Sequence, residues 1–534
     1  MGRSKLVENL LSSASLHAGR PAVRTGDVAH TYEQLVGFAG GLAHRLAQSG
    51  APGDRCAVLG RRSLAAYGAF LACLLAERVY LPLSPHDPAQ RMADTLKRGR
   101  CETLVADRAS LAQAAPLARA HQGLRLLILP DVRRGAVGDL DLDPSVAVIC
   151  ADDLDATLAP PPATLASPDA EGAYLIFTSG STGTPKGVLV PASAAQSYVE
   201  AMRPVLALEP QDRVSQVFDP GFDLSVHDML MAWDAGAQLC PLPEAQRFRP
   251  GEAVRELNLT VWFSVPSTIS VMGGLGQLRP ELLGGLRTSL FCGEALRTAD
   301  VDLWRAAAPA SRLLNLYGPT EATIAASAHE FVAADTARPT VPIGRPLPGL
   351  GYVLLDADTQ GLANGEEGEL GISGPQLALG YWDDPDLTEQ RFPTLSTPEG
   401  PQRIYRTGDR VRRLDDGAYL YLGRLDNEIK IAGAYRLNLL EVENAVAAAA
   451  GARACAVVVS DGRSQARSTL TAFLVGATQS DRAIRESLRH SHPTYMIPEA
   501  FRRLAVLPAL PNGKVDRHAL LRVVVGETEG SEAC

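Results

Sequence analysis

Between Leu175 and Val188 a short apolar run opens into Thr178-Ser-Gly-Ser-Thr-Gly-Thr-Pro-Lys-Gly187, a loop of hydroxyls, glycines and one lysine. Residues of these types at this spacing can cradle phosphate. Gly180, Gly183 and Gly187 permit backbone angles closed to other residues and let main-chain N–H groups approach an anion. Thr178, Ser179, Ser181, Thr182 and Thr184 add hydroxyl donors, and Lys186 adds a mobile charge. The pattern is not a P-loop, which ends Gly-Lys-Ser/Thr, because Pro185 precedes this lysine and Gly187 follows it. A flexible polar linker has a similar composition, but linkers rarely follow a buried-strand signal such as Tyr174-Leu-Ile-Phe177.

Downstream, four apolar runs read as strands that each break into polar residues. Val214–Phe218 leads into Asp219–Asp228, Thr260–Ser264 into Val265-Pro-Ser-Thr268, Ser289–Cys292 into Gly293-Glu-Ala295, and Arg312–Leu316 into Tyr317–Glu321. Open α/β sheets bind ligands at such carboxyl ends, so a site is expected there. Ser193–Arg203 reads as a helix ending at Pro204. Upstream, Thr31-Tyr-Glu-Gln-Leu35 opens a capped helix. Apolar runs at Cys56–Leu59, Val79–Leu83, Thr103–Ala106, Leu126–Pro130 and Val146–Ile149 alternate with helical segments, the mark of stacked βα layers with largely parallel sheets. The connection Ser84–Arg91 is punctuated by proline, and Asp155–Ala170 reads as an exposed connector. From Val353 the strands become shorter, with Gly-Glu turns, and a charged stretch near Asp426–Ala432 marks a boundary. The expected fold is α/β: a large N-terminal domain of stacked βαβ sheets with a small β-rich subdomain over 1–424, a small mobile C-terminal α+β domain over 425–523, and a flexible tail over 524–534.

Composition narrows the function. The chain has 534 residues and a formal net charge of −9 without a dense basic block, which argues against nucleic acid and anionic membranes as partners. No run approaches the length of a spanning helix, and the first helix, around Leu6, Val7, Leu10 and Leu11, is amphipathic rather than a secretory segment. The 8 cysteines lie far apart with no Cys-x-x-Cys pair, as suits a reducing cytoplasm rather than a disulfide framework or zinc site.

The ordered motifs resemble the adenylate-forming superfamily, in particular the stand-alone amino-acid adenylation enzymes of non-ribosomal peptide assembly. They are Thr31-Tyr-Glu-Gln-Leu35, Leu81-Pro-Leu83, the Thr178–Gly187 loop, Phe222-Asp-Leu-Ser225, Asn315-Leu-Tyr-Gly-Pro-Thr-Glu321, Gly368-Glu-Leu370 with Gly380-Tyr381, Tyr405-Arg-Thr-Gly-Asp409, Gly423-Arg-Leu-Asp426, Tyr495-Met-Ile-Pro498 and Pro511-Asn-Gly-Lys-Val-Asp516, and they span nearly the whole chain. The resemblance implies two half-reactions: an amino-acid carboxylate attacks the α-phosphate of ATP, giving aminoacyl-AMP and pyrophosphate, and a phosphopantetheine thiol then takes the acyl group. Two anions must meet, so cations have to offset their repulsion. By resemblance, Lys514 bridges the two anions in the first half-reaction, with Thr178, Lys186 and Glu321 completing the catalytic set. Glu321 suits Mg²⁺, a hard ion that takes one or two carboxylates beside phosphate oxygens. The nucleotide contacts implied are Thr178, Ser179, Gly180, Ser181, Thr182, Gly183 and Lys186, then Gly293, Glu294, Ala295, Asn315, Tyr317, Gly318 and Thr320. Asp409 is read onto the ribose hydroxyls, Tyr317 against adenine, and Arg424 onto nucleotide oxygens or a surface acid.

Asp223 occupies the place at which family members activating α-amino acids carry an aspartate for the substrate ammonium. The implied pocket adds Leu224, His227, Ser264, Leu290, Cys292, Leu316, Ile324 and Ala325, with no charged partner besides Asp223, so a small neutral amino acid is expected. The local sequence is similar to prolyl- and alanyl-carrier protein ligases. His227 is neutral or charged according to its surroundings. Asp426 resembles the hinge about which the C-terminal domain rotates, bringing Ala432-Gly433 toward the thiol arm. The family usually has Arg-Gly there, followed by Glu-Leu-Gly where this chain reads Asn438-Leu-Leu440, which bears on thiolation more than on adenylation. No Gly-Gly-x-Ser carrier motif is present, so either the phosphopantetheinylated carrier protein is a separate chain or the acceptor is not a carrier. Two rivals are an acyl- or aryl-coenzyme A ligase, against which Asp223 argues, and a non-catalytic nucleotide-binding protein, against which the joint presence of Lys514, Glu321, Asp409 and Asp223 argues.

Overall fold

The computed structural model describes residues 4–51, 53–155, 172–178, 185–246, 248–356, 366–397, 400–425, 428–431, 435–461, 468–508 and 515–529. Among these residues two large sheets carry the N-terminal part. A nine-stranded sheet runs from Arg345–Pro346 and Ser327–Glu330 through Arg312–Tyr317, Thr288–Cys292, Val261–Ser264, Arg213–Gln216 and Gln238–Pro241 to Pro21–Thr25 and Val28–Thr31. The strands from Arg312–Tyr317 to Pro21–Thr25 are parallel, and only the edges reverse. An eight-stranded sheet has the order Gly380–Tyr381, Lys186–Pro191, Gly172–Thr178, Val79–Leu83, Arg55–Leu59, Thr103–Ala106, Leu126–Leu129, Ala147–Cys150, again parallel except at the first two.

Helices fill the space between the two sheets. Tyr32–Gln48 starts at Thr31, whose hydroxyl accepts from Gln34 N while the Gln34 side chain accepts from Thr31 N, a capping box. Leu64–Leu75 is apolar on all sides and buried at ten of its residues, as a helix covered on every face must be. Close packing of these two helices needs Gly68, since a Cβ there would lie 2.4 Å from the Phe38 ring. Beyond Gly351 lies an antiparallel sheet of Gly351–Leu355, Glu367–Ser373, Gly400–Arg413 and Thr394–Thr397, with Tyr419–Arg424 paired to Gly400–Arg413. The C-terminal part has a hairpin of Glu428–Ile431 and Tyr435–Asn438 and a sheet of Ala454–Asp461, Ser468–Val475 and Ala500–Leu504, packed with helices Leu439–Ala450 and Asp481–Ser491. Among the described residues no helix is long and apolar enough to cross a membrane, and the described cysteines are all free thiols.

Three local expectations are corrected. The helix expected to stop at Pro204 runs Ala192–Leu206 and ends at left-handed Ala207. A proline in the last turn costs one backbone bond, and buried Leu206 anchors the turn beyond it. Asp223–Asp228, read as loop, is the start of a helix, Asp223–Asp234, buried from Asp223 to Trp233. Its burial on both faces hides the amphipathic period by which a helix is read. The final helix, Arg517–Glu529, extends into the stretch from 524 that was read as tail. The connector 155–170 lies outside the described residues except for Asp155.

Candidate functional site

Parallel strands that end together leave a crevice, and the carboxyl ends of Gly172–Thr178, Thr288–Cys292 and Arg312–Tyr317 meet the first turn of Asp223–Asp234 around one. The cavity there has a volume of about 720 Å³, and its wall includes Thr178, Asp223, Cys292, Gly318 and Thr320. It also holds Asp87 and Asp219, so Asp223 is not the only acid in the wall. Burial pushes the Asp87 carboxyl up to about 6, and Arg91 at 3.5 Å partly opposes this. The Asp219 carboxylate accepts from Ser84 Oγ at 2.8 Å. Asp87 and Arg91 were missed because Ser84–Arg91 reads as a connection whose only signal was charge among prolines.

Three acids surround the turn that follows strand Arg312–Tyr317. Glu321 is fully buried; Lys186 Nζ lies 3.7 Å from its carboxylate, and the Tyr381 hydroxyl donates to it at 2.8 Å. Lys186 also stands 5.0 Å from the centre of the Tyr381 ring, a cation–π contact. Burial, then the neighbouring Glu321, hold the Tyr381 phenol well above its ordinary value, so it stays a donor. Asp409, fully buried, accepts from the Tyr317 hydroxyl at 2.5 Å and from Arg424 Nη1 at 3.0 Å. Tyr317 and Asp409 were assigned separate nucleotide contacts and Arg424 either nucleotide oxygens or a surface acid; the structure joins the three in one network, in which Arg424 pairs with the buried Asp409.

The third acid, Asp223, sits in the first turn of its helix, where the dipole favours negative charge. Its Oδ2 accepts from Ile324 N at 3.1 Å. That amide is presented by two consecutive left-handed residues, Thr323 with φ 58° and Ile324 with φ 70°. Both are β-branched and buried, and such backbone costs about 1–3 kcal/mol per residue, persisting only where the surroundings over-determine it. The turn folds tightly onto Gly318, where a Cβ would lie 2.5 Å from Ala325 Cα.

Of the implied pocket residues, Asp223, Leu224 and Cys292 border the cavity. His227, Ser264, Leu290, Leu316, Ile324 and Ala325 are buried and do not line it. Ser264 Oγ accepts from Trp262 Nε1 at 2.9 Å. His227 Nδ1 is 2.5 Å from the Tyr198 hydroxyl, its ring packs edge-on against Phe263, and burial lowers it to about 3, so it is neutral. Among the implied nucleotide contacts, Gly293 also borders the cavity, Glu294 accepts from Ser267 N at 2.8 Å, and the Asn315 amide donates to the carbonyls of Val341 and Pro342. Ala295 is exposed. Ser179, Gly180, Ser181, Thr182, Gly183, Thr184, Asp426, Ala432, Gly433 and Lys514 lie outside the described residues.

These parts define an α/β enzyme whose cleft lies at the carboxyl ends of its strands. Residues 10–382 match the model of the AMP-binding enzyme family, and the chain belongs to that family, the adenylate-forming ligases, which use ATP. It is 35% identical over 521 residues to phosphinothricin tripeptide synthetase PhsC of Streptomyces viridochromogenes, covering 96% of this chain and 44% of PhsC. The chain thus spans less than half the length of that relative. Among solved structures it resembles the Vibrio cholerae adenylation domain AlmE in complex with glycyl-adenosine-5'-phosphate, with a TM-score of 0.83, 28% identity and 98% of each chain covered. It also resembles PA1221, an NRPS protein containing adenylation and PCP domains, with a TM-score of 0.76, 26% identity, and 97% of this chain and 84% of that one covered.

Two outcomes check this geometry. Gly318→Ala must displace backbone rather than a flexible side chain, so a loss of about 1–3 kcal/mol is expected in a denaturant titration; an unchanged midpoint contradicts the tight turn. A histidine with lowered folded-state affinity binds fewer protons than in the unfolded chain. Its contribution is therefore complete above the unfolded value near 6.5 and is lost as pH falls toward about 3. In NMR the His227 ring should not titrate between about pH 5.5 and 8, whereas a midpoint inside that window contradicts its burial.

Proposed function

We propose that this chain activates a small neutral α-amino acid, alanine or proline being favoured, as aminoacyl-AMP and passes the aminoacyl group to the phosphopantetheine thiol of a separate carrier protein in natural-product biosynthesis. The observation that carries this reading is a carboxylate, Asp223, oriented by a backbone amide in the wall of a cavity whose neighbouring surface is Leu224, Phe222 and Cys292. An ammonium beside it gains a charge-assisted hydrogen bond with little water to screen it. AlmE, with its glycyl adenylate, and PA1221, with its PCP domain, support an amino acid and a carrier as the two partners.

In this reading Thr178 and the loop after it bind phosphate, while Asp409, held by Tyr317 and Arg424, receives the ribose. Glu321 is a buried carboxylate beside Lys186, an oxygen donor of the kind that fits Mg²⁺, since this ion takes few protein carboxylates and completes its shell with phosphate and water. When bound, the ion offsets charge on the phosphates. Lys186 pairs with Glu321 and exchanges that partner for a phosphate oxygen when the nucleotide binds. Lys514 steadies the amino-acid carboxylate against the nucleotide, and rotation about Asp426 exchanges it for the thiol arm.

Pyrophosphate exchange with ATP, Mg²⁺ and a panel of amino acids tests the proposal: dependence on a small neutral amino acid is expected, and no exchange with any of them contradicts it. Lys514→Ala should slow adenylation by on the order of 10²-fold, as loss of a transition-state donor does, while transfer from supplied aminoacyl-AMP persists. Equal loss in both half-reactions removes that role. Asp223→Ala should weaken amino-acid activation while leaving ATP affinity near wild type; unchanged use of the amino acid counts against the assignment.

A further inference from the structure

The left-handed turn that presents the Ile324 amide is clamped from one side by the segment Gln376–Tyr381. Ala378 N donates to Glu321 O at 2.9 Å, the Tyr381 hydroxyl donates to the Glu321 carboxylate at 2.8 Å, and Thr323 Oγ1 donates to Gln376 O at 2.5 Å. Thr323 is fully buried, and its own backbone, at φ 58° and ψ 86°, is in a region a β-branched residue adopts only under constraint. Its hydroxyl is bonded to a carbonyl of a different segment, and the next residue's N–H is bonded to Asp223. The chain from Thr323 Oγ1 to the Asp223 carboxylate is thus one residue long.

We infer that Thr323 is a positioning residue for amine recognition: its hydroxyl holds the turn left-handed, the turn aims the Ile324 amide, and that amide fixes the Asp223 carboxylate. This deepens the proposed function and rests on it, since the amine is the feature Asp223 is read to select. Without the hydroxyl the turn has lost its tie to Gln376 and relaxes toward the extended backbone that β-branched residues prefer. The Ile324 amide turns with it, and Asp223 loses that orienting bond without losing its charge. Discrimination between an amino acid and the same acid lacking the amine then falls, whereas nucleotide binding, built from Thr178, Asp409 and their neighbours, does not.

The test measures pyrophosphate exchange with the preferred amino acid and with its des-amino analogue in wild type, Thr323→Val, Thr323→Ala and Thr323→Ser. The valine and alanine variants should lose preference for the amine by about tenfold, through a raised KM for the amino acid, with KM for ATP within about twofold of wild type. Thr323→Ser, which keeps the hydroxyl, should retain the wild-type preference. Should valine prevent folding, alanine provides the same comparison at smaller volume. The inference is overturned if the variants lacking the hydroxyl keep the wild-type preference, if KM for ATP rises in parallel, or if serine behaves as they do. A wild-type protein that activates no amino acid removes the functional reading and this inference together; an active wild type with an insensitive preference removes only the role of Thr323.

Discussion

Buried carboxylates are costly unless donors compensate them, and this chain gathers three around ten residues, 317–326. Tyr317 donates to Asp409, Ile324 donates to Asp223, and Glu321 receives Tyr381 and Lys186. Each acid comes from a different part of the sequence, and each is satisfied by a group on, or clamped to, the turn after strand Arg312–Tyr317. Moving residues 323 and 324 would take the Ile324 amide from Asp223, while Asp409 keeps its bond from Arg424 and Glu321 its bond from Tyr381.

The same arrangement explains why strain is tolerated. Thr323 and Ile324 occupy backbone angles that neither would choose, yet relaxing them would break a hydrogen bond to Asp223 and another to Gln376. Preorganised donors and acids are useful where two anions must approach, because nothing has to reorient when charge develops. A site built on strand ends and a helix start also holds its groups more firmly than one built on loops alone.

Much of the fold was legible because alternation of short apolar runs with helical segments is a strong signal, and the strand ends pointed to the region where the cavity lies. Glu321, Asp409 and Asp223 stood out as acids inside ordered motifs. What sequence could not supply was pairing across the chain: Tyr317 and Asp409 are 92 residues apart, and nothing local in either says that one bonds to the other. The helix Asp223–Asp234 was hidden for a related reason, since burial on both faces erases amphipathic periodicity. Asp87, Arg91, Thr323 and Tyr381 were passed over because their importance lies in what they touch. The charge of His227 was left open because burial, which lowers its affinity for a proton, is not written in the local sequence.

Selection of an amine by an internal carboxylate is the claim on which the functional account turns. Titration calorimetry with a non-reactive aminoacyl-adenosine analogue and its des-amino counterpart measures it without catalysis or a carrier. The account predicts that the amine-bearing ligand binds wild type at least about tenfold more tightly and that Asp223→Asn removes most of the difference. Equal affinity of the two ligands for the wild-type protein would contradict it.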